Sequence, residues 1–202
     1  MYTHLSRSLT LILTLAAALL ILGCEGTITH MREVPAGAPI AASDPGKAVI
    51  VFMRPSTLGF AIQSSVFEMK GDTPALVGIV AAKTKVAHQV SPGKHLFMVI
   101  GENADFMTAE VMAGRTYHVL VEPRMGLWKA RFGLEPVRQA QLGTAEFAAS
   151  LKDCRWVEKT PDAEGWAASS MASIQSKRAD YYPDWIKQPE ADRPHLLPLD
   201  GR

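Results

Sequence analysis

The chain has 202 residues, of which 48% are hydrophobic and 20% are charged, and its formal net charge at pH 7 is +1. This balance gives no support for a nucleic-acid-binding protein, which needs a basic surface, or for a disordered acidic segment. The composition is that of a folded protein with enough apolar residues for a sizeable core.

The first 23 residues have the features of a secretory signal peptide. Arg7 is the only formally charged side chain among them, and residues 9–22 are apolar apart from two threonines. That apolar run is shorter than the ~20 residues that a helix needs to cross a bilayer. A positive start, a short apolar segment and a small residue at its end therefore predict a leader that is removed.

The residues around Cys24 add a resemblance. Ile21, Leu22, Gly23 and Cys24 are similar to the lipobox of bacterial lipoproteins. The resemblance implies cleavage before Cys24 and acylation of its thiol, and Glu25, because it is not Asp, implies sorting to the outer membrane, facing the periplasm. Several acyl chains anchor a protein far better than one, at ~0.8 kcal/mol per buried CH₂. The alternative is an ordinary signal peptide that ends near an incidental cysteine.

Removal of the signal peptide, residues 1–23, would leave one domain's worth of chain with 20 basic and 20 acidic side chains. Residues 24–46 are rich in Pro, Gly and Ala without an apolar period, which predicts a flexible tether. If Cys24 is acylated, Cys154 is the only free thiol. It is then either a small buried hydrophobe or, as the rarer alternative, half of a disulfide to a partner.

Residues 47–138 are predicted to form an antiparallel β-sandwich of seven or eight short strands. Short apolar or alternating runs are separated by Gly and Pro at about 10-residue spacing, and no helical stretch between them is long enough for a βαβ crossover. The first run is apolar throughout, as in a strand that is buried on both faces. The predicted strands are 48–53, 60–69, 75–80, 83–90, 94–100, 106–112, 116–121 and 129–136.

Residues 139–187 are predicted to be a helical extension. Thr144 can cap a helix over 145–152, and the apolar spacing predicts a second helix over 163–178. Residues 188–202 are predicted to be a loose tail, because Pro183 and three later prolines oppose regular structure.

Three segments resemble a bacterial lipoprotein domain that is known only as a domain of unknown function. They are residues 46–56, which match its opening strand, 90–95, which match the turn before its central strand, and 113–119, where the family has Gly, Thr and paired aromatic residues. The likeness covers residues 46–138, and the turn at 92–95 is also similar to PEGA-type and transthyretin-like sandwiches. The resemblance implies a β-sandwich lipoprotein and supplies no catalytic residue.

No catalytic residue, metal site or cofactor is predicted. His88, His95 and His118 fall in predicted strands without the spacing of metal ligands, which favours half-buried structural histidines. Whether His88 and His95 share a face depends on the strand register. No serine lies in a nucleophile elbow, and Glu102 and Asp105 are interpreted as solvated acids.

Two aromatic segments are candidates for binding. Trp128 lies in a predicted loop tip with Arg124 and Lys129 nearby, and Trp and Arg are frequent interface anchors. The favoured alternative is that Trp128 folds over the edge of the sandwich. In residues 181–185 the aromatic side chains are expected to attach the C-terminal segment to the sheet, and an exposed docking patch is the alternative.

The sequence therefore predicts a non-enzymatic, lipid-anchored envelope protein that binds or scaffolds an envelope partner, with the membrane contacted through Cys24. One alternative is an inhibitor or accessory subunit of a periplasmic enzyme or envelope complex. The other is a cell-wall hydrolase.

Overall fold

The computed structural model describes residues 28–35, 44–125 and 130–202. The signal peptide, the cleavage site at Cys24, and Trp128 and Lys129 lie outside these residues. The described chain is mainly β, with two α-helices of which the C-terminal one is long.

The eight predicted strands are all present, and three short strands join them. The strands are β1 (Met31–Glu33), β2 (Ala48–Arg54), β3 (Ser64–Lys70), β4 (Thr73–Val80), β5 (Thr84–Val90), β6 (Gly93–Ile100), β7 (Ala104–Val111), β8 (Thr116–Met125), β9 (Ala130–Pro136), β10 (Arg155–Lys159) and β11 (His195–Leu196). The α-helices are α1 (Ala145–Asp153) and α2 (Ala163–Lys187).

The strands form two facing sheets, and both sheets are mixed. One has the order β1-β10-β5-β2-β8-β9 and the other β11-β7-β6-β3-β4. The prediction of a purely antiparallel sandwich with at most eight strands is therefore wrong. Strand β2 pairs in parallel with β8, β10 with β5, and β11 with β7.

The parallel pairing of β2 with β8 has a structural reason. Between β2 and β8 the chain forms β3, β4, β6 and β7 of the facing sheet, so strands of that sheet provide the crossover. A parallel pair needs a long crossover connection, but this connection does not have to be helical.

Two glycines mark corners between the sheets. Gly93 follows β5 and begins β6, with φ of 120°, and Gly114 lies between β7 and β8, with φ of 72°. Positive φ favours glycine. The turn at Pro92-Gly93 carries the chain from β5 of one sheet to β6 of the other.

The main core lies between the sheets. Alternate residues of each strand point inward, as a period of two requires. Its largest fully buried members are Tyr117, Phe52, Phe97, Phe132, Ile50, Met107 and Leu134.

Each helix covers the outer face of one sheet. Thr144 caps α1 as predicted, since its hydroxyl accepts a hydrogen bond from the Phe147 amide at 3.2 Å. Phe147 packs over Met53 of the six-stranded sheet. The longer α2 packs its Trp185 with Phe106 on the outer face of the other sheet.

Helix α2 continues past the predicted end at residue 178 and through Pro183 to Lys187. The prediction that regular structure stops before Pro183 is wrong. A proline costs the helix one hydrogen bond, and here the packing of Tyr182 and Trp185 on Phe106 accompanies the continued helix. These contacts agree with the prediction that the aromatic residues attach the C-terminal segment to the sheet.

Three short strands lie in segments that the sequence predicts to be a tether, a helical extension and a loose tail. Part of the expected tether forms β1, which pairs with β10, so residues 31–33 belong to the sheet. β10 itself interrupts the segment that was predicted to be helical. In the expected loose tail, β11 pairs with β7 and Leu196 is fully buried.

None of the helices in the described part of the chain is both long enough and apolar enough to span a bilayer.

Candidate functional site

A buried carboxylate lies between the two sheets at one end of the sandwich. Glu68 occupies an inward-facing position of β3, two residues after the core residue Val66, and is 2% exposed. Burial of an ionised carboxylate is costly unless charged or polar partners surround it. The partners of Glu68 therefore determine the charge and the hydrogen bonding at this end of the sandwich.

Three side chains meet the Glu68 carboxylate. His88 of β5, in the opposite sheet, donates from Nε2 to Oε2 at 2.8 Å. His95 of β6 donates from Nδ1 to Oε1 at 2.8 Å, and the Lys70 ammonium contacts the same oxygen. We call Glu68, Lys70, His88 and His95 the Glu68 cluster.

These partners set the charge of the cluster. Burial by itself would raise the pKa of Glu68, but hydrogen bonds from His88, Lys70 and His95 outweigh burial and lower the pKa to about 2. Glu68 is therefore ionised at neutral pH.

His95 is held from both sides of its ring. Its Nε2 lies 2.8 Å from the backbone oxygen of Ser91, while Nδ1 faces the Glu68 carboxylate. Both ring nitrogens therefore lie within hydrogen-bonding distance of an oxygen, which fixes the orientation of the ring. Phe97 stacks on His95, with ring centroids 6.1 Å apart, and fixes it further.

An open pocket of about 510 Å³ lies over this cluster. Glu68 and His95 contribute to its wall together with Lys70 and Lys94. The side chain of Lys70 is more than half exposed and Lys94 is exposed. Lys70 is itself a partner of Glu68, whereas Lys94 adds a second, exposed ammonium group to the pocket wall, which can pair with an anionic group.

The Glu68 cluster shows how His88 and His95 are placed relative to each other, which the sequence leaves open. His88 and His95 reach the same carboxylate, although they belong to different sheets. The sequence alone does not identify Glu68 as a site residue. The only available signal was an acid at an inward position in the alternation Ser64, Val66, Glu68 of an apolar strand.

The described residues contain no group of three or more His, Cys, Asp or Glu side chains placed to hold a metal ion. In the Glu68 cluster each imidazole is directed at a carboxylate oxygen rather than at a shared empty point.

Of the predicted binding residues, only Arg124 is described. Its side chain is 50% exposed on β8, and Nη1 lies 3.5 Å from the carboxylate of Asp105. The guanidinium lies across Gly133 of β9, where a Cβ atom would come within 2.6 Å of it. Asp105 is half-buried, and burial raises the pKa of its carboxyl group.

The remaining candidates are buried. Cys154 is a free thiol, and its pKa is raised to about 11, chiefly by burial, which keeps it protonated and unreactive. His118 is buried on β8 against Phe147, with ring centroids 5.0 Å apart, rather than half-buried as predicted. Neither residue reaches the pocket over Glu68.

No protein-family model and no curated protein matches this sequence.

Proposed function

We propose that this chain is a lipid-anchored protein of the bacterial cell envelope, and that its β-rich domain is a non-enzymatic binding module. The observation that carries the proposal is Cys24, which follows Gly23 at the end of a short apolar leader. Acylation of Cys24 would hold the domain at the membrane without a spanning helix. The resemblance to lipoprotein domains over residues 46–138 supports the same assignment, and Glu25 favours the outer membrane.

The pocket over the Glu68 cluster is the proposed binding site. It is open, and Lys94 adds an exposed ammonium group beside a carboxylate that Lys70, His88 and His95 already pair. A ligand with a carboxylate or phosphate group complements this charge pattern. The binding module thus takes an anionic partner from the envelope, either a small molecule or an acidic segment of a protein.

Anchoring is tested by Cys24→Ser in the full chain. We expect the wild-type protein to fractionate with membranes and its mature N-terminus to carry acyl mass, and the variant to lose both. Membrane retention of the variant to the same extent as wild type would refute the anchor.

Binding is tested with a photo-crosslinking residue at Lys94 in intact cells, followed by mass spectrometry. The control places the same residue at Glu135, which is exposed on β9 away from the pocket. We expect reproducible adducts at position 94 that are absent at position 135. Equal labelling at both positions, or none at either, would refute the pocket as the binding site.

A further inference from the structure

We infer that the loop of residues 56–62, between β2 and β3, rests in the interface of the bilayer that holds Cys24. We call it the Leu58 loop. The inference rests on the proposed acylation of Cys24 and assigns the loop a second contact with the same membrane. Its occupant is phospholipid, at the level of the head groups and the first part of the acyl chains.

The loop presents apolar side chains to solvent. Leu58 is 49% exposed and Phe60 is 44% exposed. Residues 57–61 are all exposed, and none of them is charged. Large apolar side chains on a protein surface that is otherwise polar indicate an interaction site when they lie together.

Arg54 holds the loop in this form. Its guanidinium is fully buried beneath the loop and donates to the backbone oxygens of Ile62 at 2.6 Å, Leu58 at 2.7 Å and Gly59 at 2.8 Å. It also lies over the ring of Phe132, 4.6 Å from the centroid. The space beneath the loop is thus filled by a cation that uses the loop carbonyls, and Leu58 and Phe60 remain outside.

The N-terminal segment leaves the domain beside this loop. The side-chain amide of Gln63, the residue after the loop, donates to the hydroxyl of Thr29 at 2.7 Å. Ile28 and Ile62 both pack against the main core. Only residues 25–27 separate Ile28 from Cys24.

This spacing limits the distance to the membrane. Four residue steps reach at most about 14 Å when fully extended. An acylated Cys24 lies at the bilayer surface, so Ile28 must lie within that distance of it, with the Leu58 loop close by. Apolar side chains of interfacial segments enter the bilayer by about 5–10 Å, so Leu58 and Phe60 are within range.

Two other exposed leucines lie elsewhere in the fold. Leu197 and Leu199 follow β11, at the opposite edge of the five-stranded sheet from β4. Leu199 is 64% exposed. It therefore serves as a matched control, because it is at least as apolar and as exposed as Leu58.

The test uses full-length, acylated protein in vesicles of phosphatidylethanolamine and phosphatidylglycerol. A nitroxide is attached at Phe60→Cys, at Leu58→Cys in a second variant, and at Leu199→Cys as the control. Cys154 is buried and its thiol protonated, so it does not compete for the label. Electron paramagnetic resonance then compares collisions with oxygen, which partitions into lipid, and with a water-soluble nickel complex.

We expect oxygen collisions to exceed nickel collisions several-fold at positions 58 and 60, and the reverse at position 199. Labels at 58 and 60 that match the aqueous profile of position 199, on protein that floats with the vesicles, would overturn this inference and leave the anchor intact. Protein that does not float with the vesicles would overturn the proposed anchor and the inference with it.

Discussion

His88 of one sheet donates a hydrogen bond to Glu68 of the facing sheet, with 2.8 Å between Nε2 and Oε2. Side chains between the sheets of a sandwich are usually apolar, and most of those here are. A charged hydrogen bond between the two sheets is directional, whereas apolar burial is not. It therefore fixes the position of the C-terminal end of β3 against the C-terminal end of β5. Glu68, held in this way, lies in the wall of the open pocket.

Substitution of Glu68 by Gln is expected to destabilise the fold. The amide keeps the size of the carboxylate but loses its charge and one of its two acceptor oxygens, so it cannot accept from His88, His95 and Lys70 together. Loss of one partner from a buried charged group costs ~3–5 kcal/mol of unfolding free energy. Chemical denaturation at pH 7 measures this cost, and Glu135→Gln on exposed β9 is the control, with an expected change within about 0.5 kcal/mol. Equal effects of the two variants would show that the Glu68 cluster is not stabilising.

Acid should remove the contribution of Glu68. Its pKa is lowered from 4.5 to about 2 in the folded protein, so the unfolded chain binds a proton at a higher pH than the folded one does. The stabilisation is complete above pH 4.5 and is lost as the pH falls towards 2, by about 3 kcal/mol in all. Unfolding in urea over a series of pH values gives this slope. The Glu68→Gln variant should show a shallower slope in the same range, and an unchanged slope would contradict the pairing.

His118 predicts a pH dependence in a higher range. Burial, followed by the positive charges of Arg202 and Lys85, lowers its pKa from 6.5 to about 4. Between these values the unfolded chain takes up a proton that the folded protein excludes, so stability falls as the pH drops from 6.5 to 4. The total loss is about 3 kcal/mol.

The substitution His118→Phe should abolish this dependence. Nδ1 of His118 has no hydrogen-bond partner among the described residues, and the ring packs against Phe147. An apolar ring of similar size is therefore expected to keep or raise stability at pH 7. Thermal unfolding between pH 6.5 and 4.5 avoids most of the Glu68 range. A wild-type slope in the variant would show that His118 is not the group that titrates.

Arg54 is expected to be the main determinant of order in the Leu58 loop. Burial lowers the pKa of its guanidinium to about 10, which still leaves it charged at neutral pH. The variant Arg54→Met keeps most of the apolar stem but leaves three loop carbonyls without donors, at ~1–3 kcal/mol for each buried unsatisfied group. Hydrogen exchange should accelerate across residues 56–62 and unfolding free energy should fall. Arg131→Met, at an exposed position of β9, is the control and should change neither.

The sequence was sufficient for the eight longer strands and insufficient for three short ones. Apolar runs such as residues 48–53 can be recognised as strands from their composition and from the Gly and Pro residues that follow them. The strands β1, β10 and β11 have two to five residues each and contain Arg, Glu, Lys or His. They form by pairing with strands that already exist, and that information lies in tertiary contacts.

The Glu68 cluster could not be predicted from the sequence for a related reason. Glu68 lies 20 residues before His88 and 27 before His95, and no local spacing joins them. Their convergence depends on the corner at Gly93, which carries the chain from the sheet of His88 to the sheet of His95 and Glu68. Alternation predicts that Glu68 and Val66 share a face, but it cannot identify what the opposite sheet presents to that face.

The attachment of α2 gives the last prediction. Trp185 is buried, with its ring 5.7 Å from Phe106 of β7 and 5.8 Å from Tyr182. Truncation of a buried aromatic residue leaves a cavity and costs ~3–5 kcal/mol, so Trp185→Ala should lower the melting temperature by roughly 10 °C for a chain of this size. The exposed neighbour Tyr181 is the control, and Tyr181→Ala should change the melting temperature little. If both variants melt like the wild type, α2 is not held to the sheet by this aromatic contact, and its passage through Pro183 needs another cause.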